Sequence, residues 1–174
     1  MENSHVIIEI KARYANLSRA REILTRHQAE FRGLDHQVDT YFKVNSGRLK
    51  LREGKIENAL IFYNRENQAG PKESNVTLFR CEKDSPLKEI LTRSLGVLTV
   101  VDKQREIYFI DNVKIHLDTL QDFGTFIELE AIGDGVRDKS ELLRQCEYYL
   151  DLFGVSKHDL VPVSYSDLCL NRET

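Results

Sequence analysis

Apolar and polar residues alternate with period two along most of this chain, and three stretches of helical spacing interrupt the alternation. Residues 5–14 place Val6, Ile8, Ile10 and Ala12 on one face and Ile7, Glu9, Lys11 and Arg13 on the other, the two-sided pattern of a strand. The same alternation predicts strands over residues 37–44, 48–52, 59–65, 75–82 and 97–110. Two more come from a hairpin, residues 112–118 and 125–131, joined through a link that ends in Gly124. Helical spacing predicts a helix over 19–30 behind the capping residues Asn16 and Ser18, with Gly33 closing that unit. A second helix is predicted over 86–95, with Asp84 and Ser85 ahead of a first-turn Pro86, and a third over 138–153. Residues 66–73 are polar, contain Gly70-Pro71, and read as a mobile hairpin loop. The tail, residues 157–170, contains Val161-Pro162-Val163-Ser164-Tyr165-Ser166-Asp167-Leu168 and is assigned no element. Eight strands and about three helices, mostly hairpin-connected, predict an α+β fold on a largely antiparallel sheet.

The hairpin 112–131 carries the first chemical signal. Lys114, His116 and Asp118 share one face of its first arm, and Phe126, Glu128 and Glu130 share one face of the second. Paired arms would bring Asp118, Glu128 and Glu130 together, and clustered carboxylates repel unless a cation lies between them. Hard divalent ions such as Mg²⁺ favour oxygen ligands of this kind. The competing reading is a solvated polar strand face.

Basic residues are segregated in the same way. Arg48, Lys50 and Arg52 lie on one face about 7 Å apart. Lys103 and Arg105 share a face of another strand, Tyr63 and Arg65 of a third, and Lys11 and Arg13 flank Glu9 on the first. The opposite faces are apolar, and amphipathic helices are available to cover them. Two arrangements follow. Either the charged faces meet solvent around a sandwich core, or the sheet closes into a barrel with the charged faces lining its lumen and the helices outside. A lumen of cations and carboxylates suits a polyphosphate with a divalent metal: Arg and Lys hold phosphate oxygens, and carboxylates hold Mg²⁺ or Mn²⁺.

Composition narrows the choice. The 174 residues are 41% hydrophobic and 30% charged, an ordinary globular balance that fits one domain over 1–174. Basic residues number 25 against 28 acidic, a net charge of −3, so no global field points to nucleic acid or an anionic membrane. Cys81, Cys146 and Cys169 are scattered without a zinc spacing and read as reduced thiols. No run approaches the roughly 20 apolar residues of a membrane span, and a cytoplasmic protein is expected.

Ordered along the chain are Glu9-Ile10-Lys11, Gln37-Val38-Asp39-Thr40-Tyr41-Phe42, Gly47-Arg48-Leu49-Lys50-Leu51-Arg52 and Tyr63-Asn64-Arg65. There follow Val101-Asp102-Lys103-Gln104-Arg105, Ile115-His116-Leu117-Asp118, Phe123-Gly124, Glu128-Leu129-Glu130 and Ser164-Tyr165-Ser166-Asp167-Leu168. In this ordered set the chain resembles the CYTH superfamily of triphosphate tunnel metalloenzymes, which includes class IV adenylyl cyclases and thiamine triphosphatases. The resemblance implies an eight-stranded antiparallel β-barrel with a charged lumen, a triphosphate held by basic residues, and Mg²⁺ or Mn²⁺ held by acidic ones. By position it implies phosphate contacts from Lys11, Arg48, Lys50, Arg52, Arg65, Lys103 and Arg105, and metal ligands at Glu9, Glu128 and Glu130. It also places Asp118 at the metal or reacting end, with Lys103 and Arg105 as its catalytic partners. The family's first motif is Glu-x-Glu-x-Lys, and this chain has Ile7 where the first Glu belongs, which weakens a second metal site or shifts its ligands.

Three activities remain open at this point: cyclisation of ATP to cyclic AMP and pyrophosphate, hydrolysis of a thiamine, nucleoside or inorganic triphosphate, and polyphosphate binding with little turnover. The expected partner is a small-molecule triphosphate, not nucleic acid or membrane, for a monomer or homodimer. His116 is expected to be a satisfied structural histidine, Tyr41 to pack, Tyr63 and Tyr165 to pack or bracket a base, and Lys72 and Ser74 to sit in the mobile loop near a ligand.

Overall fold

The computed structural model describes residues 4–64, 67–133, 135 and 137–173. Eight strands form one antiparallel ring: β1 (Ser4–Arg13), β2 (Glu30–Phe42), β3 (Arg48–Glu53), β4 (Ala59–Asn64), β5 (Lys72–Arg80), β6 (Val97–Ile110), β7 (Val113–Leu120) and β8 (Gly124–Ile132). Their order is β1-β5-β4-β3-β2-β6-β7-β8, and β8 pairs with β1 to close the barrel. Closure decides between the two arrangements: the charged faces of β1, β3, β6, β7 and β8 point into the lumen.

The apolar faces of β1, β7 and β8 are covered from outside. Helices α1 (Leu17–Arg26) and α3 (Lys139–Phe153) pack over Ile8, Ile10, Ile115, Leu117, Ile127 and Leu129, using Ala20, Leu24, Leu142, Cys146 and Phe153. Each such side chain removed from water is worth about 1.5–3 kcal/mol, so this layer anchors the wall on which the lumenal charges stand. Asn16 and Asp138 cap the two helices by accepting the N–H groups of Arg19 and Glu141.

Several local expectations are corrected. Gly33 does not end a helical unit but lies inside β2, at a register shift between Phe31 and Gly33. Its φ is +133°, and a Cβ there would stand 2.7 Å from Ile56 Cδ1, so the chain needs glycine at this bulge. Lys72 and Ser74 are not loop residues; both are buried in β5, and Lys72 Nζ donates to the Val161 carbonyl at 3.1 Å. Helix α2 (Leu87–Leu95) starts after Pro86 without a side-chain cap, so Asp84 and Ser85 do not act there.

The tail holds a fourth helix, α4 (Tyr165–Glu173), that the three-helix expectation lacked. Its start was marked in the sequence. Ser164 Oγ accepts the Asp167 N–H at 3.1 Å and Asp167 Oδ2 accepts the Ser164 N–H at 3.0 Å, a reciprocal capping box. Among the described residues no helix is long and apolar enough to cross a membrane.

Candidate active site in the lumen of the ring

The first cluster is built around one buried carboxylate. Asp39 of β2 accepts Lys50 Nζ at 3.0 Å, Lys103 Nζ at 2.8 Å, and Arg52 through Nε at 2.8 Å and Nη2 at 2.9 Å. The register explains the meeting, since Asp39 stands opposite Arg52 on β3 and the neighbouring Gln37 opposite Lys103 on β6. Burial alone would raise the Asp39 pKa, but the Arg52, Lys103 and Lys50 charges overcome it and hold the carboxyl well below its usual range. Lys103 shows the converse. Burial lowers its ammonium most; Asp39 partly opposes this, while Arg52, Arg105 and Lys50 add to it, leaving Lys103 at about 7. Three basic side chains on one carboxylate leave this wall with more basic groups than its acid can match.

A second acid enters from a turn. Asp35, fully buried in β2, accepts the backbone N–H groups of Lys55 at 2.6 Å, Ile56 at 3.0 Å and Glu57 at 3.1 Å, plus Gln37 Nε2 at 3.0 Å. This grip folds the β3–β4 connection inward. Glu57 then reaches Arg52 Nη1 at 3.0 Å, Gln37 Nε2 at 3.0 Å and the Lys114 ammonium. Burial would raise the Glu57 pKa, yet Lys114 and Arg52 drive it far below the carboxylate range. Gly54 is required because a Cβ would lie 2.5 Å from Asp35 Oδ2. Asp35→Asn puts an NH₂ against N–H donors, so a loss of about 1–3 kcal/mol is expected in urea unfolding; an unchanged midpoint would show that the turn does not depend on this carboxylate.

The third cluster joins β1, β6, β7 and β8. Arg105 forks onto Asp118, with Nε at 2.7 Å and Nη2 at 2.5 Å, and Nη2 also reaches Glu128 at 2.6 Å. Tyr165 at the head of α4 donates to Asp118 at 2.7 Å. Lys11 Nζ lies 3.2 Å from Glu128 and 3.8 Å from the centre of the Tyr165 ring. His116 is fully buried, with Nδ1 3.4 Å from Glu128 and 3.8 Å from Glu130, and neither ring nitrogen makes a hydrogen bond. His116, Glu128 and Glu130 offer ligand atoms within 4.8 Å of one another.

Most of these groups line a cavity of about 790 Å³, with Asp35, Gln37, Asp118 and His116 set behind its surface, within the roughly 300–1,000 Å³ of small-molecule sites. Its walls differ. Cations and carboxylates of β1, β2, β3, β6, β7 and β8 face an apolar side made by Ile61 and Tyr63 of β4 and Val76 and Leu78 of β5, continued by Ile7 of β1. Tyr165 enters one end, packing edge-on to Phe126 with ring centres 5.2 Å apart.

Lys11, Lys50, Arg52, Lys103, Arg105, Glu9, Glu128 and Glu130 all line this cavity. Arg65 lies outside the described residues. Arg48 stands at the rim, bound to Asp167 at 3.2 Å and Asn67 at 3.0 Å. Asp118 is the main correction. It pairs with Phe126 rather than with a Glu across the hairpin, and it sits behind Arg105 instead of lining the cavity. The residue opposite Glu128 is His116, with Lys114 opposite Glu130. His116 is therefore not the satisfied structural histidine expected. Tyr41 packs as expected, in an apolar cluster with Ile61 and Tyr63. Asp35 and Glu57 were not singled out, and Lys114, placed on the charged face of the hairpin, was not assigned to the site; the acidic turn next to Gly54 was the available signal for Glu57.

The CYTH domain family model matches residues 6–165, and the chain belongs to that family. A Methanocaldococcus jannaschii protein, provisionally named an adenylate cyclase, is 24% identical over 175 residues, spanning 92% of this chain and 97% of the relative. The solved PH1012 protein of Pyrococcus horikoshii superposes with a TM-score of 0.78 at 24% identity, over 93% of this chain and 98% of its own. A Vibrio parahaemolyticus structure, also provisionally named an adenylate cyclase, gives 0.75 at 22% identity, over 94% and 97% of the two chains.

Proposed function

We propose that the ring is a divalent-metal-dependent enzyme of the class IV adenylyl cyclase kind, taking ATP to cyclic AMP and pyrophosphate. The observation that carries this is the surplus of buried cations around Asp39, opposite an apolar wall. Lys50, Arg52 and Lys103 can trade a shared carboxylate for phosphate oxygens, with Lys11 and Arg105 continuing the row. The apolar side at Ile61, Tyr63, Val76 and Leu78 suits a nucleoside better than inorganic tripolyphosphate.

Residues fit a metal as well. Glu9, Glu128 and Glu130 line the lumen, and Nδ1 of the buried His116 lies 3.4 Å from Glu128 and 3.8 Å from Glu130. A divalent ion held by these residues would supply positive charge against the phosphates. Lys103 and Arg105 act by stabilising negative charge on the reacting phosphate, and Asp118 holds the Arg105 fork in one orientation. The ribose 3′-hydroxyl attacks the α-phosphorus and gives up its proton to water, and the bond to the β-phosphate oxygen breaks to release pyrophosphate.

A second reading, polyphosphate binding with little turnover, is favoured by Ile7, which lines the lumen where the family motif carries a carboxylate. One assay separates them. ATP, thiamine triphosphate and tripolyphosphate are incubated with Mg²⁺ or Mn²⁺, beside Arg52→Ala and Glu128→Ala. Cyclic AMP, falling at least about 100-fold in both variants, is the expected result, since each removes charge stabilisation worth about 3 kcal/mol. Orthophosphate instead would make it a triphosphatase, and tight binding without product would make it a binding module.

A further inference from the structure

We infer that His116 is a metal ligand, completing with Glu128 and Glu130 a mixed nitrogen–oxygen site that selects transition ions such as Mn²⁺ or Co²⁺ over Mg²⁺. The inference rests on the metal-dependent reading above and adds to it a ligand and a preference.

The argument begins with an imbalance. A buried polar group without a hydrogen bond costs about 1–3 kcal/mol, and His116 has both ring nitrogens in that condition at 0% exposure. The β7–β8 register places it directly opposite Glu128, and its Nδ1 points between Glu128 and Glu130. Donors about 2.0–2.2 Å from one ion lie at most about 4.4 Å apart, so a 4.8 Å spread closes with shifts of a few tenths of an ångström.

The chemistry of the donors sets the ion. Imidazole binds Mn²⁺, Co²⁺ and Zn²⁺ far better than Mg²⁺, which demands oxygen and keeps its water. Position 7 on β1 carries Ile7 and offers no donor, while His116 on β7 stands level with Glu128 and brings a nitrogen beside the two carboxylates.

The test is spectroscopic and uses the whole protein without substrate. Mn²⁺ bound to the wild type should show nitrogen-14 coupling in pulsed electron paramagnetic resonance. His116→Gln should abolish that coupling and weaken Mn²⁺ at least about tenfold, by one lost ligand, while changing Mg²⁺ affinity less than about threefold. Glu130→Gln should weaken Mn²⁺ and keep the coupling. Absence of nitrogen coupling in the wild type overturns the inference even if neither variant folds. An equal loss of Mn²⁺ and Mg²⁺ affinity in His116→Gln overturns the preference. Nitrogen coupling together with no product in the assay above would count against the enzyme reading alone.

Discussion

Arg105→Met is expected to lower folding stability by about 3–5 kcal/mol, the cost of leaving a buried charge without its partner. Arg105 supplies both forks of the guanidinium–carboxylate pair to Asp118 and a third bond to Glu128, at 2% exposure. Its loss leaves Asp118, among the described residues, with Tyr165 as its remaining side-chain hydrogen-bond donor. Against a total stability of about 5–15 kcal/mol, that is a large share. Equilibrium urea unfolding measures it. The double variant Arg105→Met with Asp118→Leu should recover at least about 1 kcal/mol, because it removes the stranded carboxylate along with its partner. A single-variant loss below about 1 kcal/mol would mean that water reaches Asp118 once the guanidinium is gone, and that the pair is not desolvated.

Triphosphate binding should weaken steeply as pH rises above 7, and Lys103 is the reason. Its ammonium sits at about 7 in the free protein because burial and the Arg52, Arg105 and Lys50 charges oppose the proton. A bound polyanion raises that pKa, so binding takes up a proton wherever free Lys103 is neutral. The sign is fixed by linkage: affinity is full below 7 and falls as pH rises, by up to tenfold per unit. A loss of about 10–100-fold between pH 6 and 9 is expected in calorimetric titrations at constant metal. Lys103→Met should bind more weakly at pH 6 and lose most of this slope, while the ligand's own ionisation affects both proteins alike. Equal slopes would assign the proton elsewhere. The folded protein alone follows the same linkage: because its Lys103 pKa lies below the ordinary 10.5, this group makes stability rise between pH 7 and about 10.5.

Much of the fold was legible in the residues. The strand over 97–110 was read with the bounds of β6, the hairpin 112–131 nearly so, and residues 138–153 match α3 with Asp138 as its cap. Period-two patterns reveal strands because backbone pleating forces neighbours to opposite faces. The cations of the candidate site were legible for the same reason, since Lys11, Lys50, Arg52, Lys103 and Arg105 each share a face with other charges. Helix α4 is short and was not assigned from the sequence, although its capping box was present in Ser164 and Asp167 and Tyr165, Leu168 and Cys169 stand at helical spacing.

What the sequence determined by itself is therefore the two-sided character of each strand and the list of charges on one side. A period of two names the two faces of a strand but not which face turns inward, nor how distant strands align. Closure of β8 onto β1 turned the charged faces into a lumen. The β7–β8 register put His116, and not Asp118, across from Glu128, and the β6–β7 register set Asp118 behind Arg105. Asp35 drew Glu57 into the lumen from a turn whose pattern carried no face at all. Register and closure are properties of the paired backbone, set by contacts between residues far apart in the chain, and only the tertiary structure holds them.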